Sequence, residues 1–152
     1  MTIIAYRDGI MAGDSWVSST SGRFCGNVVK IQKNKFGMLL GASGGSAEAY
    51  EFHEWFADQD PTTWRKMPEG LRTHALIVLP NNEVWDVEEG RVLPCPDISE
   101  FGFTAVGSGV SYAMAAMAMR ATAEQAVEVA IKLSMDCGGE VHSVRLDSVE
   151  AA

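Results

Sequence analysis

The sequence from Thr2 to Asp14 reads TIIAYRDGIMAGD, and it predicts how the fold begins. Two apolar runs, Thr2–Tyr6 and Ile10–Gly13, flank the turn Arg7-Asp8-Gly9. An Asp-Gly pair between apolar runs is a strong signal for a β-hairpin. We therefore expect two antiparallel strands, the first of which starts at residue 2 and the second of which ends beside a carboxylate.

The remaining segments predict an α+β domain. Further strands are expected at Phe36–Ala42, Thr73–Leu79, Glu83–Val87, Phe101–Val106 and Val141–Leu146. Helical spacing predicts a helix from Ser46 to about residue 58, with His53 on its solvated face. An Ala/Met-rich helix is expected after Gly107-Ser108-Gly109 and to end at about Arg120. A third is expected from Ala123 to about Asp136, because Thr122-Ala123-Glu124-Gln125 matches a capping box. Pro94-Cys95-Pro96 predicts a loop. Grouped strands favour a layered α+β domain over a βαβ repeat, and residues 1–152 are expected to form one domain.

Charge and cysteine use exclude several classes of protein. The chain has 12 basic and 20 acidic side chains and a net charge of −8, which argues against nucleic-acid binding. Its three cysteines, Cys25, Cys95 and Cys137, fit neither a disulfide framework nor a zinc site, and the histidines lack metal-ligand spacing. The N-terminus has no secretory pattern and no apolar run is long enough for a membrane span, so we expect a cytoplasmic protein without metal or cofactor.

Thr2 is the first candidate for chemistry. An initiator Met is usually removed when the next residue is small, so loss of Met1 would leave a threonine at the N-terminus. The hydroxyl of such a residue is a poor nucleophile, but its own α-amine, with a reference pKa of about 7.7–8.0, is suited to take the proton. One residue then supplies both the nucleophile and the base.

This chemistry needs a cation near the amine, a carboxylate to hold the cation, and backbone N–H groups for an oxyanion. Asp14 ends the predicted hairpin, and Lys30 interrupts an apolar run, where a lysine needs a partner. Gly44-Gly45 follows a predicted buried strand, and glycine there lets the backbone approach a substrate closely.

Five blocks of sequence together resemble one known family, the proteasome β-type subunits and HslV-like peptidases. The blocks are Thr2–Ala5, Ala12–Ser15, Val28–Ile31, Gly41–Ala47 and Gly107–Gly109. The resemblance implies an N-terminal nucleophile (Ntn) hydrolase fold, a four-layer αββα sandwich of two antiparallel sheets flanked by helices. It also implies a threonine endopeptidase in a homo-oligomeric ring, acting on peptides or unfolded protein and able to work with an ATP-driven unfoldase.

The resemblance assigns expected roles residue by residue. Thr2 would be the nucleophile, Asp14 and Lys30 its supporting ion pair, Gly44 the oxyanion donor, and Ser108 the partner of the threonine amine. The substrate contacts it implies are Ser18, Ala42, Gly45 and Ser46, with Ala42 in the pocket for the residue before the cut. The family's second acidic position falls on Ser134 by strict spacing, or on Asp136 after one shift.

The chain departs from the family pattern at two further places. Eleven residues separate Thr2 from Asp14, which makes the hairpin short, and Trp16 stands where a basic residue is common. Two other functions stay open: a non-catalytic assembly subunit that retains Met1, and an Ntn amidase acting on small substrates. Gly107-Ser108-Gly109 does not fit a dinucleotide fingerprint, because Tyr112 occupies the third small position.

Overall fold

The computed structural model describes residues 2–18, 24–25, 27–44 and 46–148. The strands are β1 Ile3–Arg7, β2 Ile10–Gly13, β3 Val17–Ser18, β4 Phe24–Cys25, β5 Ile31–Lys33, β6 Leu39–Ser43, β7 His74–Val78, β8 Val84–Glu88, β9 Arg91–Pro94, β10 Phe103–Gly107 and β11 His142–Arg145. The helices are α1 Ser46–Phe56, α2 Pro96–Phe101, α3 Val110–Ala118 and α4 Ala123–Leu133.

The predicted hairpin forms the centre of the first sheet, whose order is β10-β1-β2-β11. Asp8 and Gly9 connect β1 to β2 with positive φ values of 52° and 79°, as a two-residue type I′ turn requires. Every neighbouring pair in this sheet is antiparallel. The hairpin prediction is therefore confirmed, and the start of β1 lies beside the end of β10.

The second sheet is a five-stranded antiparallel meander in the order β5-β6-β7-β8-β9. It packs face to face on the first sheet. The two sheets approach closely at Gly41, where an added Cβ would lie 2.7 Å from Ile4 Cγ2 and 3.0 Å from Met11 Sδ. A side chain at residue 41 would push the sheets apart, so glycine permits the contact.

Three apolar clusters define the layers. Alternation along β1 sends Ile3 and Ala5 outward against α3 and α4, and Ile4 and Tyr6 inward against the second sheet. On the far side, α1 covers the second sheet with Phe52 and other buried apolar side chains. The order helix, sheet, sheet, helix confirms the expected four-layer αββα sandwich.

Local signals located α4 correctly and misplaced two other segments. The Thr122 hydroxyl accepts from the Gln125 N–H at 3.1 Å and the Gln125 side chain accepts from the Thr122 N–H at 3.0 Å, so the capping box is present. The strand predicted from Phe36 starts only at Leu39, because Asn34 Oδ1 accepts from the N–H groups of residues 36 and 38 and closes a turn there.

The prediction of a loop at Pro94-Cys95-Pro96 was wrong. β9 ends at Pro94, and Pro96 is the first residue of α2, where its missing N–H costs nothing and its fixed φ suits a helix. Within the described part of the chain, no helix is long and apolar enough to cross a membrane.

Candidate active site

Thr2 lies just before β1, where the first sheet meets the loop after β10. Only 5% of the residue is exposed. Its N–H donates to Ser108 Oγ at 3.2 Å, and the Ser108 hydroxyl in turn lies 3.3 Å from the Thr2 carbonyl oxygen as a donor. The Gly109 N–H also donates to that oxygen at 3.3 Å. The Gly-Ser-Gly segment therefore fixes the main chain of residue 2 at both its nitrogen and its oxygen.

Asp14 and Lys30 form a buried ion pair next to this residue. Lys30 Nζ lies 2.7 Å from Asp14 Oδ1, and the side chains are 5% and 0% exposed. Asp14 Oδ1 also accepts from the Ile3 N–H at 3.1 Å, and Asp14 Oδ2 accepts from the Gly138 N–H at 3.1 Å. The carboxylate thus joins the lysine, the first strand and the glycine segment after α4, and these contacts compensate its burial.

Trp16, which departs from the family pattern, has a structural role beside Asp14. Its indole covers Gly138 and Gly139 so closely that a Cβ at either glycine would overlap the ring. The Gly138 carbonyl accepts from the N–H groups of Ser15 and Trp16, both at 3.1 Å. An aromatic ring at residue 16 therefore helps to hold the segment that donates to Asp14.

An open cavity lies against Thr2. Its volume is ≈ 180 Å³. The apolar lining consists of Val17, Val28, Val29, Ala42 and Ala49, and the remaining lining residues are Thr2, Lys30, Gly44, Tyr50 and His53. A cavity of roughly 150 Å³ holds a benzene molecule, so this one has room for a large apolar side chain. A second, shallower depression joins Thr2 to Ser43, Gly44, Gly107 and Ser108.

Ser134 and Asp136, the two candidates for the family's second acidic position, differ in their contacts with the residues around Thr2. Cys137 Sγ is in hydrogen-bonding contact with the hydroxyls of Ser134 and Ser108, and burial raises the pKa of its thiol. Asp136 meets this cluster through its main chain, with its N–H donating to Ser134 Oγ at 3.2 Å. The cluster that reaches the Thr2 nitrogen through Ser108 thus contains Ser134 and a thiol.

The expected substrate-contact residues belong to different elements of the fold. Ala42 is 3% exposed and lines the cavity. Ser18 is the last residue of β3, and Ser46 is the first residue of α1. Gly45 and Met1 lie outside the described residues.

Two residues near Thr2 were missed by sequence reasoning. His53, expected on a solvated face, is partly buried and lines the cavity. The signal was its spacing, because it follows Ala49 by four positions and therefore shares that residue's face of α1. Cys137 gave no such signal, since a single cysteine before two glycines has no pattern of its own. In the part of the chain that the structure describes, no group of three acidic, histidine or cysteine side chains could hold a metal ion.

We expect Gly107→Ala to disturb the position of Thr2. Gly107 has φ of +109°, and an added Cβ would overlap the Thr2 carbonyl oxygen. The free energy of unfolding should fall by more than about 2 kcal/mol, the sum of backbone strain and a clash with main chain that cannot move aside easily. Chemical denaturation followed by circular dichroism measures this loss.

Gly102→Ala is the matched control for this substitution. Gly102 also has a positive φ, +81°, but nothing lies within 4 Å of its added Cβ. Strain alone should cost about 1–2 kcal/mol there. Equal losses at the two positions would show that the close approach of Gly107 to Thr2 has no energetic weight.

The chain was compared with known proteins in sequence and in structure. No family model matches the chain. The ATP-dependent protease subunit HslV of Campylobacter curvus is 27% identical to it over 169 residues, covering 92% of this chain and 88% of that protein. Among solved structures, Thiobacillus denitrificans BPH superposes with a TM-score of 0.69 at 20% identity, covering 97% of this chain and 99% of that one.

Two further structures share the fold. The complex of Thiobacillus denitrificans BPH with epoxomicin has a TM-score of 0.66 at 20% identity, with coverage of 96% and 98%. Eukaryotic HslV from Trypanosoma brucei has a TM-score of 0.65 at 16% identity, with coverage of 95% and 98%. Its αββα sandwich and a sequence relative that spans nearly its whole length make this chain similar to the HslV-like N-terminal nucleophile hydrolases.

Proposed function

We propose that the protein is a threonine-type endopeptidase whose nucleophile is Thr2 after removal of Met1. The observation that carries the proposal is the convergence of three features on residue 2. Thr2 immediately precedes β1, one of the two central strands of the first sheet, the buried Asp14–Lys30 pair lies beside it, and the apolar cavity with Gly44 on its wall opens next to it.

The chemistry follows from the residues at this point. The Thr2 hydroxyl oxygen attacks the peptide carbonyl carbon while its proton passes to the free α-amine of the same residue. The Gly44 N–H donates to the resulting oxyanion, and Lys30 places a positive charge near the reacting atoms. Collapse breaks the C–N bond, and the leaving amine takes the proton from the Thr2 ammonium.

The second half of the reaction repeats the proton transfer. A water molecule attacks the ester that joins the substrate to Thr2, and the α-amine takes a proton from that water. The ester C–O bond breaks, the Thr2 oxygen recovers a proton, and the carboxylic product leaves. Ser108 supports both halves, because its hydroxyl lies 3.2 Å from the nitrogen that carries the proton.

The cavity supports a peptide substrate with a large apolar side chain before the cut. Ala42 leaves room there, and the lining is mostly hydrocarbon. We propose Ser18, Gly45 and Ser46 as contacts for the extended peptide main chain, in the manner of strand addition. For the second acidic position, membership of the hydrogen-bonded cluster favours Ser134 over Asp136.

The proposals on assembly and location rest on the sequence relative reported above, which is named as an ATP-dependent protease subunit. We propose that this chain likewise forms a homo-oligomeric ring, that an ATP-driven unfoldase supplies unfolded protein to it, and that it works in the cytoplasm. Its described cysteines Cys95 and Cys137 are free thiols, which agrees with a reducing compartment.

Release of the Thr2 amine is the step that tests the proposed function. The chain is expressed with an N-terminal extension that a site-specific protease removes to leave Thr2 first, and hydrolysis of an N-blocked peptide with Phe before a fluorogenic amide is measured. We expect the rate to rise by at least about 10³-fold on cleavage, because the base becomes available only then. Equal rates before and after cleavage would support a non-catalytic subunit, and turnover of small amides but not of peptides would support an amidase.

A further inference from the structure

His53 faces the cavity from the last turn of α1. It follows Ala49 by four positions and Tyr50 by three, so the three residues share one face of the helix. All three line the cavity that also contains Thr2. Tyr50 is 64% exposed and donates its hydroxyl to Glu54, so it stands at the outer rim, whereas His53 is partly buried.

Both ring nitrogens of His53 are bound within the protein. Nε2 lies 3.2 Å from the Lys30 carbonyl oxygen, and Nδ1 lies 3.1 Å from Gln32 Oε1. A carbonyl oxygen only accepts, so Nε2 carries a proton in this contact. When the ring is neutral, Nδ1 is an acceptor, and a half-turn of the Gln32 amide presents an N–H to it. Both ring nitrogens are therefore engaged by the protein itself rather than offered to a substrate.

A second hydrogen bond fixes the Lys30 carbonyl oxygen to which His53 binds. This oxygen accepts from the Ala42 N–H of β6 at 3.2 Å as well as from His53. Three residues that line the cavity, Lys30, Ala42 and His53, thus meet at one main-chain oxygen. The imidazole cannot swing away from the cavity without breaking its hydrogen bond to that oxygen.

The ring is also uncharged at neutral pH. Burial lowers the pKa of His53, and the hydrogen bond to the Lys30 carbonyl only partly opposes it. The imidazole therefore takes up a proton only below its ordinary range of about 6.5. A neutral wall suits an apolar substrate side chain, since a buried charge beside hydrocarbon would be costly.

We propose that His53 determines side-chain selectivity at this site by forming one wall of the cavity with its imidazole ring. The proposal rests on the proposed peptidase function and adds to it the residue that limits the size of the side chain before the cut. The cavity then accepts a side chain up to about the size of a phenyl ring and excludes a bicyclic one. Removing the ring enlarges the cavity and relaxes that limit.

Selectivity between two matched peptides tests the proposal. The peptides are identical except for Phe or Trp before the cleaved bond, and kcat/KM is measured for each with the assembled protein. In His53→Ala we expect the Trp-to-Phe ratio of kcat/KM to rise by about tenfold or more, in line with the discrimination that a few carbon atoms in an apolar pocket provide. His53→Asn, which lacks the ring but keeps an amide group at the place of Nδ1, facing Gln32, is expected to shift the ratio in the same direction.

His74→Ala is the matched control. His74 lies on β7 with its Nε2 3.0 Å from Asp86 Oδ1, and it does not line the cavity. The ratio should stay within twofold of the parent. A ratio that is also unchanged in folded His53→Ala or His53→Asn would overturn the proposal, because the ring would then not limit the size of the bound side chain.

The proposed function fails in a different way. A parent protein that neither hydrolyses the peptides nor reacts with a peptide boronate at Thr2 would contradict the peptidase itself, and the role of His53 would fall with it. A parent that is active and labelled, with His53 variants of unchanged selectivity, contradicts only the role of His53. The two results are told apart by the boronate reaction of the parent alone.

Discussion

Thr2→Ala is expected to lower peptide hydrolysis by at least about 10⁴-fold. Removal of the hydroxyl deletes the proposed nucleophile while the α-amine, the Asp14–Lys30 pair and the cavity remain, and loss of a catalytic nucleophile has an effect of this order or larger. The measurement is kcat/KM for a fluorogenic peptide, made on a chain that mass spectrometry shows to begin at residue 2.

Thr2→Ser is the control for this loss. Serine keeps a hydroxyl and an adjacent amine, so hydrolysis should be reduced but remain well above that of Thr2→Ala. The fold should be retained in both variants, because the contacts that hold residue 2 use its main chain. A Thr2→Ala chain with more than about a hundredth of parental activity would show that another group is the nucleophile.

Asp14→Asn should have the largest effect on stability. The carboxylate has three partners in three segments, Lys30, Ile3 and Gly138, and its side chain is fully buried. An amide can present an acceptor on one side only, so its NH₂ group would face a donor on the other, and the buried charge of Lys30 would lose the Asp14 carboxylate. We expect the free energy of unfolding to fall by about 3–5 kcal/mol, and hydrolysis to be lost with it.

Asp58→Asn is the matched control for the buried pair. Asp58 Oδ1 lies 2.9 Å from Lys35 Nζ, but both side chains are largely exposed. Surface pairs contribute about 0–1 kcal/mol, so this substitution should leave the urea midpoint nearly unchanged. Similar losses in the two variants would show that burial of the Asp14–Lys30 pair carries no special weight.

The parts of the fold that were predictable have strong local chemistry. The Asp8-Gly9 turn requires two positive φ values, which that pair supplies, and the hairpin followed from it. The start of α4 followed from Thr122 and Gln125 in the same way. In both cases the residues that decide the structure lie within a few positions of one another.

The parts that were not predictable depend on contacts from distant segments. His53 reads as a solvated residue on its own helix, because Gln32 and the Lys30 carbonyl, to which it binds, come from another layer. Phe36 reads as part of an apolar strand until Asn34 closes a turn around it. Pro96 reads as a loop residue because proline suits loops and first helical turns equally well.

In the candidate site too, some contacts were predictable from the local sequence, and others depend on how distant segments meet. The Asp14–Lys30 pair was expected because a buried lysine needs an anion, a demand visible in the sequence. The contact between Ser134, Cys137 and Ser108 was not, since it depends on how the end of α4 meets the loop after β10. Sequence spacing alone left Ser134 and Asp136 both open for that reason.

Covalent labelling of Thr2 tests the central claim most directly. The chain is first shown by intact mass to begin at residue 2, then treated with epoxomicin, the compound bound in one of the structural neighbours. We expect one inhibitor mass per chain, located by tandem mass spectrometry on the peptide that starts with Thr2, and no addition to Thr2→Ala. A chain that begins at Thr2 and gains no mass, or gains it at another residue, would contradict the account.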